Sequence, residues 1–235
     1  LARRWYNPDR AARLLSRAPD GAVDTLAPSL EVAEALFAEA AALNPGFGWV
    51  EHSRHVADAA RRIAAAHPAL DEATASVFGL LHDIGRRAGP THNRHMIDGY
   101  RYLLDLGYER AARICLTHSF PVRDIAYCVG RWDVTDAEYA FLRAYLAGVE
   151  YDEYDRLLQL CDALALPQGF CLLEKRLVDV ALRHGLNDTT LPRWRALFDL
   201  LAHFDAAVGG SVYAVLPGIV ETTFAPPGSH CPAKQ

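Results

Sequence analysis

A chain of 235 residues, 51% of them hydrophobic, is long enough to bury a real core and too apolar to be a disordered segment. Its 24 basic and 29 acidic residues are interspersed and leave a net charge of -5, which argues against a nucleic-acid or membrane-surface partner. No apolar run reaches spanning length, and no apolar signal core follows the opening Leu-Ala-Arg-Arg-Trp.

Taken in order, Pro8 to Ala18 reads as a short helix with Asn7 as its cap, and Gly21 ends that region. Ser29 to Leu43 is a stronger helix. Val32, Leu36 and Ala40 recur at helical spacing, and Asn44-Pro45-Gly46 stops it. Phe47-Gly48-Trp49 is an aromatic loop, read as a plug for the edge of the core rather than the roof of a pocket. Glu51 to His67 is amphipathic: His52, Val56, Ala59 and Ile63 share one face, and His55 lies off it. A single inward histidine is ordinarily a satisfied core residue, so His52 alone decides nothing.

Asp71 opens the next helix, which is apolar almost all round and therefore buried. Its end delivers the adjacent pair His82 and Asp83, with Gly85 expected as the stop. Such a pair is either hydrogen-bonded in the core or part of a metal site. Arg86 and Arg87 follow at once. Solvent is the ordinary place for two loop arginines, but beside a metal they are candidate anion anchors. Thr91 to Leu106 is helical, with His92 and His95 one turn apart and Gly107 as the stop. Tyr108 to His118 forms another helix, with Ile114 and Leu116 inside and Pro121 forbidding continuation. Arg123 to Arg131 is short and irregular, and Thr135 caps Asp136 to Gly148.

Tyr154 to Leu166 carries Asp162 among apolar neighbours. A buried carboxylate must be paired, protonated or metal-bound. Pro167-Gln168-Gly169 breaks that helix. Leu172 to His184 carries Glu174, Lys175 and Arg176, which either reach a substrate or form a solvated face. Pro192 to Val208 is a last long helix, with Trp194, Leu197, Leu200, Leu201 and Phe204 inside. Tyr213 to Thr223 is a short helix or an extended arm, and Ala225 onward a loose tail. The five cysteines, Cys115, Cys128, Cys161, Cys171 and Cys231, form no CxxC or CxxH spacing. They read as reduced thiols, so a cytoplasmic protein without a thiolate zinc site is expected. The expected fold class is all-α, a single-domain helical bundle.

His52, His82, Asp83, His95, His118 and Asp162 each fall at a helix end or on an apolar face. Bundles build metal sites from inward side chains on facing helices. Imidazole and carboxylate without thiolate suit Fe, Mn, Zn, Ni or Co. Six such groups are too many for one ion with an open position and about right for two, one carboxylate bridging.

The ordered set His, His-Asp, His, His, Asp resembles the HD-domain superfamily. It is carried by Glu51-His52-Ser53, Leu81-His82-Asp83-Ile84-Gly85, Thr117-His118-Ser119 and Leu160-Cys161-Asp162-Ala163. The Leu166-Pro167-Gln168-Gly169 turn and the helix after it resemble a bacterial subgroup of that superfamily. The resemblance implies that His52, His82, Asp83 and Asp162 hold one metal. It implies that His95 and His118 are the extra ligands of dinuclear members, with His92 competing for the role of His95, and that Asp83 is the bridge. It divides the chain into N-terminal helices packing on the core (1–48), an HD metal-binding core (49–185), a C-terminal helix and arm (186–224) and a flexible tail (225–235).

The activity so implied is a metal-dependent phosphohydrolase acting on a nucleotide or small phosphorylated metabolite. Two divalent ions, iron first among the candidates, activate the attacking hydroxide. Asp83, Arg86 and Arg87 are the catalytic candidates, and Arg86 and Lys175 the candidates for binding an anionic small molecule. Arg86 stands where many hydrolytic members place a lysine, and no glycine-tyrosine-proline signature of the cyclic-dinucleotide branch follows. The alternative is an HD-fold di-iron oxygenase, of the myo-inositol or phosphonate-cleaving kind, oxidising a small polar substrate with O2. A binding module without turnover is a third reading, which the complete ligand set disfavours. Oligomeric state is open.

Overall fold

The computed structural model describes residues 27–46 and 48–225. The expected helix at Pro8–Ala18, Cys231 and nearly all of the expected tail lie outside them. The fold is all-α, with ten α-helices among the described residues and one two-stranded hairpin.

Helix α1 (Leu30–Leu43) starts at Ser29, whose hydroxyl accepts from the Val32 amide. It buries Ala33, Phe37 and Ala40, while Val32 is 39% exposed. The buried face is thus rotated from the Val32-Leu36-Ala40 stripe that spacing suggested. The large Phe37 ring is the better anchor, and it meets Trp49 edge-on at 5.4 Å. Trp49 is buried, and its indole N–H donates to the Asn44 carbonyl, so this residue does plug the core edge.

Helix α2 (Trp49–Ala66) begins two residues earlier than predicted, after Gly48 in the left-handed region (φ 69°). It lies along α3 (Glu72–Leu81), which Asp71 caps by accepting from the Thr74 amide. The two helices touch backbone to backbone: a Cβ on Gly79 would sit 2.5 Å from Ala57 Cα. Helix α3 ends at Leu81 and the chain continues as a 3-10 turn, Ile84–Ala88, so Gly85 is not a helix stop. Its reason is proximity. A Cβ there would fall 1.9 Å from the His95 carbonyl oxygen and 2.4 Å from the Gly99 nitrogen.

Helix α4 (Arg94–Asp105) starts three residues later than predicted, because the Asp133 carboxylate accepts from the His92 and Arg94 amides and holds the approach as a loop. Helix α5 (Glu109–Thr117) packs against α4. The following loop contains one 3-10 turn, Ile125–Tyr127. Helix α6 (Asp136–Gly148) carries the Thr135/Glu138 capping box. Helix α7 (Glu153–Leu164) runs into strand β1 (Ala165–Leu166), which pairs antiparallel with β2 (Gly169–Phe170). Strands of two residues are too short to give an alternating pattern, so the sequence showed only a break.

Helix α8 (Leu173–His184) and α9 (Thr190–Val208) follow. On α9, Leu197, Leu201 and Phe204 are buried, whereas Trp194 and Leu200 are half-buried. A 3-10 turn, Val212–Val215, and α10 (Ile219–Thr223) settle the C-terminal arm as helical. No described helix is long and apolar enough to cross a membrane.

Candidate metal centre

Five helices bring His52, His82, Asp83, His95, His118 and Asp162 to one place. His52 comes from the first turn of α2 and His95 from the first turn of α4. His82 and His118 follow directly on α3 and α5, and Asp162 sits in the last turn of α7. Their heads form a continuous chain of short contacts. Asp162 Oδ1 lies 3.0 Å from His52 Nε2 and 3.7 Å from His82 Nε2. His82 Nε2 lies 3.9 Å from Asp83 Oδ2. Asp83 Oδ1 lies 3.0 Å from His95 Nε2 and 3.8 Å from His118 Nε2. Two triads have ligand atoms close enough together to hold an ion: His52 with His82 and Asp162, and His82 with Asp83 and His118.

Backbone carbonyls set the ring orientations. His82 Nδ1 donates to the Gly79 carbonyl at 2.7 Å, His118 Nδ1 to that of Ile114 at 3.1 Å, and His95 Nδ1 to that of His92. A carbonyl only accepts, so Nδ1 carries the proton and Nε2 keeps a free lone pair. All three lone pairs face the two carboxylates. His82 Nε2, His95 Nε2 and Asp83 Oδ1 are buried and have no hydrogen-bond partner among the described residues. Orphaned buried polar atoms are costly, and three at one spot are what an absent cation would leave. The residues therefore fit a divalent metal.

The electrostatics agree. Burial would push the Asp83 carboxyl up, but Arg86, then His95 and His82, hold it well below the ordinary range. Burial likewise opposes Asp162, but hydrogen bonding and charge from His52 prevail and lower it. Burial pulls His118 down to about 3, with neighbouring His82 adding to it, and burial lowers His82 as well. Two carboxylates stay ionised and these two imidazoles stay neutral at pH 7, as ligation requires.

A buried network braces this arrangement from behind. Asp155, fully buried, accepts from the Thr117 hydroxyl at 2.7 Å and pairs with Arg113. Gln159 donates to the Thr117 carbonyl at 3.2 Å. Both contacts anchor the residue preceding His118.

The remaining candidates divide. Arg86 stays at the centre: its Nε donates to Asp83 Oδ2, and its side chain lines the cleft. Arg87 does not. Its guanidinium pairs with Glu39 at 3.1 Å and lies 4.2 Å over the Tyr102 ring, away from the cluster. Lys175 also turns aside, its ammonium donating to the Thr223 carbonyl and fastening α10. His92 is exposed at the rim and contributes its backbone carbonyl to His95.

The cluster opens into a cleft of about 1040 Å3. Beyond the clustered histidines and carboxylates its walls include Arg131, Arg176 and Arg193. Arg131 and Arg193 drew no attention in the sequence. One is in a loop and the other in a helix, and only the α8 and α9 approach brings them to the cleft.

Compared with known families, residues 49–166 match the HD domain, half of the chain. No curated protein and no solved structure matches it.

Proposed function

Because the chain belongs to the HD domain family of metal-dependent phosphohydrolases, we propose that it hydrolyses a phosphoester of a nucleotide or small phosphorylated metabolite at a two-metal centre. One ion would be held by His52, His82, Asp83 and Asp162, and the second by Asp83, His95 and His118, with Asp83 as the bridge. The observation that carries this reading is the set of orphaned, buried and inward-facing atoms on His82, Asp83 and His95. Iron is the first candidate, and Mn, Zn, Ni and Co suit the same donors.

When bound, two divalent ions would acidify a water and neutralise charge on a phosphoryl group. The chain's own residues do the rest. The carbonyls of Gly79, Ile114 and His92 hold three imidazoles in the ligating tautomer. Arg86 keeps Asp83 ionised, and its half-buried guanidinium faces the cleft, where it can take a phosphoryl oxygen. The depressed pKa of Asp83 and Asp162 makes them poor proton donors, so the leaving group must take its proton from another group or from solvent.

The test is metal analysis of aerobically and anaerobically prepared protein, with phosphate release measured across phosphorylated metabolites. Two ions per chain and phosphate release that disappears in His95→Ala/His118→Ala are expected. Two irons with substrate-dependent O2 uptake and no phosphate release would overturn the proposal in favour of an oxygenase.

A further inference from the structure

The cleft does not end at the ligand cluster. It continues into a side chamber of about 510 Å3 between the loop at Cys128–Arg131 and helices α8 and α9. Arg131 and Arg193 line both spaces, and Arg176 lines the cleft beside them. Among the described residues none of the three guanidinium groups makes an ion pair or a hydrogen bond, and Arg193 Nε is buried without a partner. Neighbouring Arg183 is different, since Asp179 pairs with it at 3.2 Å.

Their placement is costly without a ligand. Arg193 sits in the first turn of α9, at the positive end of the helix dipole, where a cation is disfavoured. Burial pulls its pKa below the usual value, Asp162 opposes this, and Arg176 adds to it. Arg193 is therefore coupled electrostatically both to Asp162 of the cluster and to the like charge of Arg176. His184, also on the wall, is lowered by burial and then by Arg183 and Arg176. Side chains that break a local rule without an evident partner are where a function is to be sought.

We propose that Arg131, Arg176 and Arg193 form a second anion subsite, which takes a phosphoryl group other than the one at the metal centre. The substrate then carries two separated phosphoryl groups, one bound at the ligand cluster and one by the arginines. Three positive charges without an ion-pair partner suit a dianion better than a single carboxylate, and guanidinium forks match phosphoryl oxygens. This rests on the reading of the cluster as a phosphohydrolase centre.

The experiment is calorimetric titration of chelator-stripped protein with inorganic phosphate, at pH 7 and low salt. Acetate provides a second arm, to separate phosphoryl from carboxylate recognition. Phosphate is expected to bind, acetate to bind far more weakly, and Arg176→Gln/Arg193→Gln to weaken phosphate at least tenfold. Arg131→Gln should give a smaller loss, because that side chain is exposed at the mouth. Arg87→Gln, whose guanidinium pairs with Glu39 away from the cleft, should leave phosphate binding within twofold. None of the three subsite arginines pairs with another described side chain, so the variants should fold, which a thermal melt checks. No phosphate binding at millimolar concentration, equal binding of acetate, or unchanged binding by the double variant would overturn the subsite. Arginine-dependent binding in a protein that releases no phosphate from any ester would overturn the hydrolase reading and leave the subsite standing.

Discussion

Gly85→Ala isolates what the close approach of the 3-10 turn to α4 does for the site. The added Cβ would lie 1.9 Å from the His95 carbonyl oxygen, where ordinary contact begins at 3.4 Å, so one side must retreat by about 1.5 Å. Both obstructing atoms, His95 O and Gly99 N, are backbone. No side-chain rotation can relieve the clash, and α4 itself must move. Overpacking of this kind costs about 1–3 kcal/mol, or roughly 2–4 °C per kcal/mol in a domain of this size. The functional loss should be larger. His95, held 3.0 Å from Asp83 Oδ1, is carried away with α4, and tolerances at metal sites are about 0.5 Å. Affinity for the ion at His95 and His118 should fall on the order of 10–100-fold, as when an outer-shell partner is lost. The ion at His52 and Asp162 should be retained. Metal stoichiometry by elemental analysis, beside a melting curve, reads both effects. A variant that melts early but binds two ions with undiminished affinity would refute the link between Gly85 and His95.

Arg86→Ala removes the charged hydrogen bond to Asp83 and should slow phosphate release about 10–100-fold, the kinetic equivalent of 1.5–3 kcal/mol. It should also move the acidic limb of the pH profile upward, because Arg86 is what holds the Asp83 carboxyl down. Asp155→Ala takes the buried carboxylate away from Arg113 and from the Thr117 hydroxyl, leaving Arg113 only the Glu150 carbonyl, so urea unfolding should show a loss of about 3–5 kcal/mol. The metal-free protein should lose stability in acid. The folded state keeps His118 neutral down to about 3, while the unfolded chain protonates it near the ordinary 6.5. The unfolded state therefore binds more protons across that window. Stability falls as pH drops through it, by up to about 1.4 kcal/mol per pH unit, and is fully present above 6.5. An acid unfolding midpoint unchanged in His118→Gln would count against this.

The helices were legible where apolar spacing and caps agreed, as at Asp71, Thr135 and the Val56-Ala59-Ile63 face. Spacing misled at α1, where Phe37 outweighed Val32 as the buried anchor. It misled again at Gly85, which punctuates nothing and instead admits a neighbouring backbone. The six clustered residues were legible because each combined a polar head with an apolar setting. Apart from Arg86, the arginines were not. Arg87 follows Arg86 directly, yet the 3-10 turn sends the two side chains to different partners. Arg131 and Arg193 lie 62 positions apart, and only the packing of α9 beside the loop after α5 makes them neighbours. The hairpin at Ala165–Phe170 was invisible because two-residue strands carry no periodicity.

Each of three clustered imidazoles is aimed by a carbonyl one turn earlier in its own chain segment. The aim therefore travels with the backbone and, the His92 carbonyl apart, owes nothing to the residues that line the rest of the cleft. Rim positions other than His92 can be rewritten one at a time, by mutation or by design, without disturbing how the imidazoles point. A scaffold of this kind can be moved from one substrate to another by changing only its outer wall.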